Sequence, residues 1–285
     1  MNLTWKPWSE SRVAVAVRYT SAALILLLAF ILEPLVPAFK RHFSPKDPEI
    51  SFPFTQSPTV PVIPLFLLSY LVPFAAISVI ALISHRRWHH YHFAVQGLLC
   101  SLAFTALITH ILKNTVGRPR PDLLDRCQPH LPDPVPILVD ISVCKEDTEY
   151  LINDGFKSFP SGHSSYSFAG LGYLGFYLAG QFRLLRAHTP PWKSLLVLVP
   201  FLMALLVAVS RISDYRHHWS DVMVGSILGV SCAWYFYRRH FPALSSPVSH
   251  SPNASFLSST PCHESADYLR GAMRDMSNTI TTRNV

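Results

Sequence analysis

Residues 93–112 read FAVQGLLCSLAFTALITHIL and run straight into KNTVGRPRP at residues 113–121. A helix needs about 20 predominantly apolar residues to cross a bilayer, and this stretch has that length without one Asp, Glu, Lys or Arg. It reads as a membrane helix that delivers Lys113 and then Arg120 to its end. Five further apolar segments share the pattern: residues 13–32, 62–83, 160–179, 195–209 and 222–236. Arg18 can snorkel from the first, and Glu33-Pro34 marks its exit. Pro64 and Pro73 are expected to kink the second. The fold expected is all-α, a bundle of six transmembrane helices over residues 13–240. Residues 1–12 and 241–285 are its polar ends.

Composition agrees. Of 285 residues 49% are hydrophobic and 14% charged, against about 25% charged in a soluble domain, and mean hydropathy is +0.26. The net charge of +7 is spread between apolar runs, not gathered in a basic tract with aromatics. That excludes nucleic acid and suits membrane topology and an anionic partner. Arg86 and Arg87, then Arg183, Arg186 and Lys193, then Arg238 and Arg239 fall on one side with Lys6 and Arg12. The positive-inside rule makes that side cytoplasmic. The amino terminus has no small-x-small cleavage pattern of a signal peptide, and no internal repeat suggests a transporter. Residues from 245 onward, rich in Ser, Pro, Asn and Thr, read as a disordered cytoplasmic tail. Residues 40–61 read as an extramembrane loop. Cys127 and Cys144 share another, where a disulfide stands at even odds. His85, His89, His90 and His92 read as a surface on the opposite side.

With six spans, three polar stretches fall together on the non-cytoplasmic face: KNTVGRPRP, PSGH at residues 160–163, and SRISDYRHHWSD at residues 210–221. Ionisable groups beside membrane spans are costly and are functional candidates by default. Together they hold what phosphoryl transfer needs. Lys113, Arg120 and Arg211 can surround phosphoryl oxygens, the arginines in bidentate fashion. Ser161 and Gly162 open a helix whose free N–H groups favour an anion. His217 and Asp221 are four apart, so the carboxylate can hold one ring nitrogen as N–H and leave the other free to attack. His163 is placed to act as general acid. No Cys, His or carboxylate cluster has metal-ligand spacing, so neither metal nor cofactor is expected. Alone, each cation reads as a headgroup anchor and each histidine as an interfacial polar residue. Arg118, Asp122, Asp125, Asp214 and Arg216 read as loop ion pairs outside the site.

These residues resemble the type 2 phosphatidic acid phosphatase superfamily, whose signature is Lys-x₆-Arg-Pro, Pro-Ser-Gly-His and Ser-Arg-x₅-His-x₃-Asp. The flanks GRPRPDLLDRC (117–127), SFPSGHSS (158–165) and DYRHHW (214–219) look like lipid phosphate phosphatases, most of all the fungal diacylglycerol pyrophosphate phosphatase type. The resemblance implies a six-helix enzyme of an endomembrane (vacuole, Golgi or endoplasmic reticulum) or the plasma membrane. It implies Mg²⁺-independent dephosphorylation of diacylglycerol pyrophosphate, phosphatidate and lysophosphatidate. His217 would be the nucleophile, His163 the acid and Asp221 the partner of His217. Lys113, Arg120, Ser161, Gly162 and Arg211 would hold phosphate. Vanadate-dependent haloperoxidases share the constellation but are soluble. A lipid phosphotransferase, a phosphatase for sphingoid-base or polyprenyl phosphates, and an inactive lipid scaffold or transporter are the rival readings. Oligomeric state is not legible.

Overall fold

The computed structural model describes residues 12–83, 88–145, 149–186 and 189–253. Its long helices are α1 (Arg12–Leu35), α2 (Val62–Phe66) continued through a π-helical turn (Leu67–Leu71) into α3 (Val72–Ile83), and α4 (Trp88–Val116). Short helices α5 (Leu123–Cys127) and α6 (Glu149–Gly155) follow, then α7 (Gly162–Gln181), α8 (Pro191–Ser213) and α9 (Trp219–His240). There is no strand among the described residues, only a single bridge between Phe43 and Val139.

Three helices among the described residues are long and apolar enough to cross a membrane: Val62–Ile83, His90–Val116 and Pro191–Ser213. Val15–Ile31 forms a shorter apolar helix. The expectation of six such segments is therefore met only in part. Helices α7 and α9 carry more Ser, Gly and polar residues, and packing explains why. Most of α7 is buried, with α4, α8 and α9 against it. A helix surrounded by protein needs small residues for close approach more than it needs lipid-facing bulk. At Gly229 of α9 an added Cβ would lie 2.9 Å from the Ala169 amide nitrogen and would strike the Ser165 carbonyl.

The expected proline kink takes a specific form. Pro73 has no N–H to give to the carbonyl of Ser69, and the helix passes this point as the π turn. The Ser69 carbonyl then lies against α7 at Gly170, where any side chain would collide with it.

Two cores result. Ile77, Leu98, Leu102, Ala169, Tyr173, Tyr177, Ala233 and Tyr237 fill the bundle. Ala38, Phe43, Ile50, Leu123, Val139, Ile152 and Phe156 fill a small cap built from the loops at one end. The cap is stapled by a Cys127–Cys144 disulfide with Cα atoms 4.7 Å apart.

At the other end the chain departs from the sequence reading. Residues 241–253 fold back under the bundle: Phe241 stacks on Tyr237, Ser249 Oγ donates to the Gly180 carbonyl at 3.2 Å, and Asn253 N donates to the His240 carbonyl at 2.9 Å. The disordered tail expected from residue 245 thus begins, among the described residues, as packed turns. Apolar Phe241 anchors it and hydroxyls meet the helix ends. His90, expected on a surface, is buried with Nε2 3.0 Å from the His250 carbonyl. Residues 1–11, 84–87 and 254–285, on which part of the charge and tail readings rest, lie outside the described residues.

Gly229→Leu should lower the stability of the detergent-solubilised protein by about 3 kcal/mol or more, because backbone and not a flexible side chain meets the new group. A thermal unfolding midpoint equal to wild type would show that α7 and α9 do not depend on this contact.

Candidate active site

Four helix ends meet beneath the cap. Lys113 lies in the last turn of α4 and Arg211 in the last turn of α8, where the helix dipole favours cations. Helix α7 begins at Gly162 with Ser161 as its N-cap, and α9 begins two residues after His217. The observed α4, α8 and α9 extend past the apolar runs read from sequence, so Lys113, Arg211 and Asp221 lie within helices, whereas His217 precedes α9.

The structure brings the predicted residues together. Ser161 N donates to the Asp221 carbonyl at 3.0 Å, joining the starts of α7 and α9. Lys113 Nζ donates to the Lys157 carbonyl at 2.8 Å, and a Cβ on Gly162 would be 3.5 Å from Lys113 Cε. Lys113, Arg120 and Arg211 lie within electrostatic reach of His163. All three cations are less than a tenth exposed. The Ser161 hydroxyl is buried with no hydrogen-bond partner. A buried polar atom so placed asks for a ligand.

His217 is 4% exposed, and its Nδ1 is 2.7 Å from the Ser158 carbonyl. A carbonyl only accepts, so Nδ1 carries the proton and Nε2 keeps its lone pair. Burial, then the charges of Arg120 and Lys113, hold the imidazole well below its ordinary pKa, against the opposing pull of the Ser158 bond. It is an unprotonated base in a cationic pocket. His163 Nε2 lies 3.0 Å from the Val60 carbonyl.

One expected contact is different. Asp221 Oδ2 is 4.0 Å from His217 Nδ1, too far for a hydrogen bond. The carboxylate is fully buried and accepts instead from Ser158 Oγ at 2.6 Å, Arg118 Nη1 at 2.6 Å and the His218 amide at 3.0 Å. Helical four-residue spacing brings His217 and Asp221 near, but His217 precedes the helix and its ring turns to the Ser158 carbonyl.

Several residues set aside as loop ion pairs belong to this network. Asp122 does pair with Arg126, at 2.8 Å for both oxygens, and Arg216 reaches Asp122 at 3.6 Å. But Arg118 pairs with Asp221, and Asp214 with Arg211 at 2.5 Å. Asp154, unremarked in the sequence, accepts from Arg120 Nη2 at 2.8 Å and from Arg126 Nη1 at 2.9 Å. Arg120 and the neighbouring cations push its carboxyl well below the usual range in spite of burial. No motif spacing links Asp154 to Arg120, because α6 is joined to the site through the cap. Among the described residues, Lys113 and Arg118, Arg120, Arg126, Arg211 and Arg216 are answered by Asp122, Asp154, Asp214 and Asp221, with Glu33 also within electrostatic reach of Lys113, so the cations outnumber the carboxylates. Among the described residues no three His, Cys, Asp or Glu side chains gather as a metal site.

The segment between α1 and α2 lies across this pocket. Thr59 donates to Asp214 through its amide at 2.9 Å and its hydroxyl at 2.6 Å. The guanidinium groups of Arg126 and Arg216 flank Phe54, 4.5 and 5.1 Å from its ring centre. Phe52 stacks on Tyr215. The expected extramembrane loop is thus a strap.

Helix ends, a cation cluster and two imidazoles thus come together at one place, and the chain belongs to the PAP2 superfamily, whose model matches residues 94–244. It is 38% identical over 86% of its length to the probable diacylglycerol pyrophosphate phosphatase 1 of Schizosaccharomyces pombe, covering 85% of that protein. It is 39% identical over 82% of its length to diacylglycerol pyrophosphate phosphatase 1 of Saccharomyces cerevisiae, covering 83% of it. With lipid phosphate phosphatase 2 of Arabidopsis thaliana the identity is 38%, over 82% of this chain and 81% of that one. No solved structure matches the chain.

Asp154→Ala should cut kcat/KM by about 10- to 100-fold, the range of about 1.5–3 kcal/mol for a hydrogen bond to a charged group. In an Arg120→Ala background it should add little. An undiminished loss in that background would assign Asp154 to the cap alone.

Proposed function

We propose that this protein is a lipid phosphate phosphatase that hydrolyses diacylglycerol pyrophosphate, phosphatidate and lysophosphatidate without a metal, through a phosphohistidine at His217. The observation that carries the proposal is the pocket itself: an unprotonated imidazole, anchored at Nδ1, among cations that outnumber the carboxylates around them. Family membership and the names of the relatives point the same way.

In this mechanism the phosphoryl group enters between Lys113, Arg120 and Arg211, with the Ser161 hydroxyl and the α7 amides completing its cradle. Nε2 of His217 attacks phosphorus. The bond from phosphorus to the leaving oxygen breaks, and that oxygen takes a proton from His163. Water then attacks the phosphohistidine and gives a proton back to His163, so inorganic phosphate leaves and both histidines are restored. The side-chain cations supply the charge stabilisation that some phosphatases draw from metal ions. Arg→Lys should fail at Arg120 and Arg211, since an ammonium cannot reproduce the planar fork.

The proposal includes six spans formed by α1, the α2–α3 unit, α4, α7, α8 and α9. Alternation puts the helix ends that carry Lys113, Gly162, Arg211 and His217 on one face, and the basic connections on the other. The positive-inside rule makes the site face non-cytoplasmic, and the Cys127–Cys144 disulfide in the cap suits an oxidising compartment.

His217→Ala and His163→Ala should each reduce phosphate release from lipid phosphates by about 10³-fold or more. Wild-type activity should survive EDTA and be inhibited by vanadate. Near-normal turnover by His217→Ala, or activity lost in EDTA and restored by Mg²⁺, would sink the mechanism.

Because the His217 pKa is lowered, its neutral form persists as pH falls below 6.5. The acid limb of kcat/KM should therefore lie below 6.5 once the second ionisation of the substrate, near about 6, is allowed for. A limb at 6.5 or above would contradict the buried, cation-flanked setting.

On topology, Asn2 and Asn253 should carry no glycan, and cap cysteines should be labelled after reduction only from the non-cytoplasmic side. Glycan on Asn253 would invert the orientation.

A further inference from the structure

We propose that Asp221 acts on the nucleophile through Ser158, with Arg118 as the counter-charge that keeps the link in place. This rests on the phosphohistidine reading above and adds two positioning residues to it.

The geometry is a chain of contacts. Arg118 Nη1 donates to Asp221 Oδ1 at 2.6 Å and also to Ser220 Oγ at 2.7 Å. The second carboxylate oxygen of Asp221 accepts from Ser158 Oγ at 2.6 Å. The carbonyl of that same Ser158 holds His217 Nδ1 at 2.7 Å, while the Ser158 amide donates to the Arg118 carbonyl at 3.2 Å. Ser158 is thus tied by its amide to Arg118, by its hydroxyl to Asp221 and by its carbonyl to the imidazole. Ser158 and Asp221 are both fully buried, so no water competes for these bonds.

The physical consequence is that the Ser158 peptide plane aims the imidazole. A nucleophile misaimed by about 1 Å costs on the order of 100-fold, and the Ser158 hydroxyl is what fixes that plane to the carboxylate. Arg118 answers a buried negative charge that would otherwise be left against a neutral ring. The Ser158 hydroxyl is committed to Asp221, and Arg118 gives its Nη1 to Asp221 and Ser220. Their loss should be felt in the chemical step and not in binding.

The experiment uses the full chain in detergent–lipid micelles, with Ser158→Ala, Asp221→Asn and their double variant compared by kcat, KM and the rate of phosphate label appearing on His217. Ser158→Ala should lower kcat and the labelling rate by about 10- to 100-fold, with KM within about 2-fold of wild type. In the double variant the two losses should not multiply, because both cut one link. Fully multiplicative losses, or a Ser158→Ala labelling rate equal to wild type, would overturn the proposal. If Ser158→Ala fails to fold, Arg118→Ala reads the same link, since Arg118 touches Asp221 and not His217. The same fall in kcat at unchanged KM is expected, and an unchanged kcat overturns the proposal. Wild type that forms no label on His217 would instead refute the phosphohistidine reading itself.

Discussion

Lys113, Arg120 and Arg211 are held at the margin of apolar helices, mostly out of water, and cations so placed repel one another strongly enough that the surrounding chain must answer them. The answer is a set of carboxylates drawn from different parts of the chain: Asp154 from α6, Asp214 from the end of α8, Asp221 from α9. Asp214 pairs with Arg211, Asp154 with both Arg120 and Arg126, and Asp221 with the neighbouring Arg118. The compensation stops short, since the cations outnumber the carboxylates, and under the proposed function that surplus is what receives an anion.

The bundle and the cap divide the work this requires. Close packing of α7 between α4, α8 and α9 sets four helix ends at one level, so backbone amides and side-chain cations converge without a long loop to misplace them. The cap does what the bundle cannot. Its disulfide and the Phe43–Val139 bridge hold α5 and α6 over the helix ends, and through Arg126 and Asp154 they hold Arg120. The strap over residues 52–60 ties in at Asp214 and His163, so the same loop touches the carboxylate partner of Arg211 and the acid of the proposed mechanism.

Composition speaks least clearly where protein, and not lipid, is the neighbour. Helices α7 and α9 fall below the apolarity of a lone membrane span because Gly170 and Gly229 face other backbones. Hydropathy measures contact with lipid, and these faces have little. The start of the tail was misread for a related reason. Residues 241–253 mix Ser and Pro with apolar Phe241 and Leu244, which pack on the bundle, and their hydroxyls and amides satisfy helix-end carbonyls that sequence alone does not show to be waiting.

What the sequence by itself determined is the inventory: apolar helical segments, and three motifs whose residue types suit a phosphoryl group. Those follow from local periodicity and spacing, which a chain carries in its order. What only the tertiary structure decided is who touches whom. Asp154 on Arg120, Asp214 on Arg211 and Ser158 between Asp221 and His217 join residues from separate elements. Their pairing depends on where helix ends come to rest, and no spacing along the chain encodes a hydrogen bond made by a backbone carbonyl across the bundle.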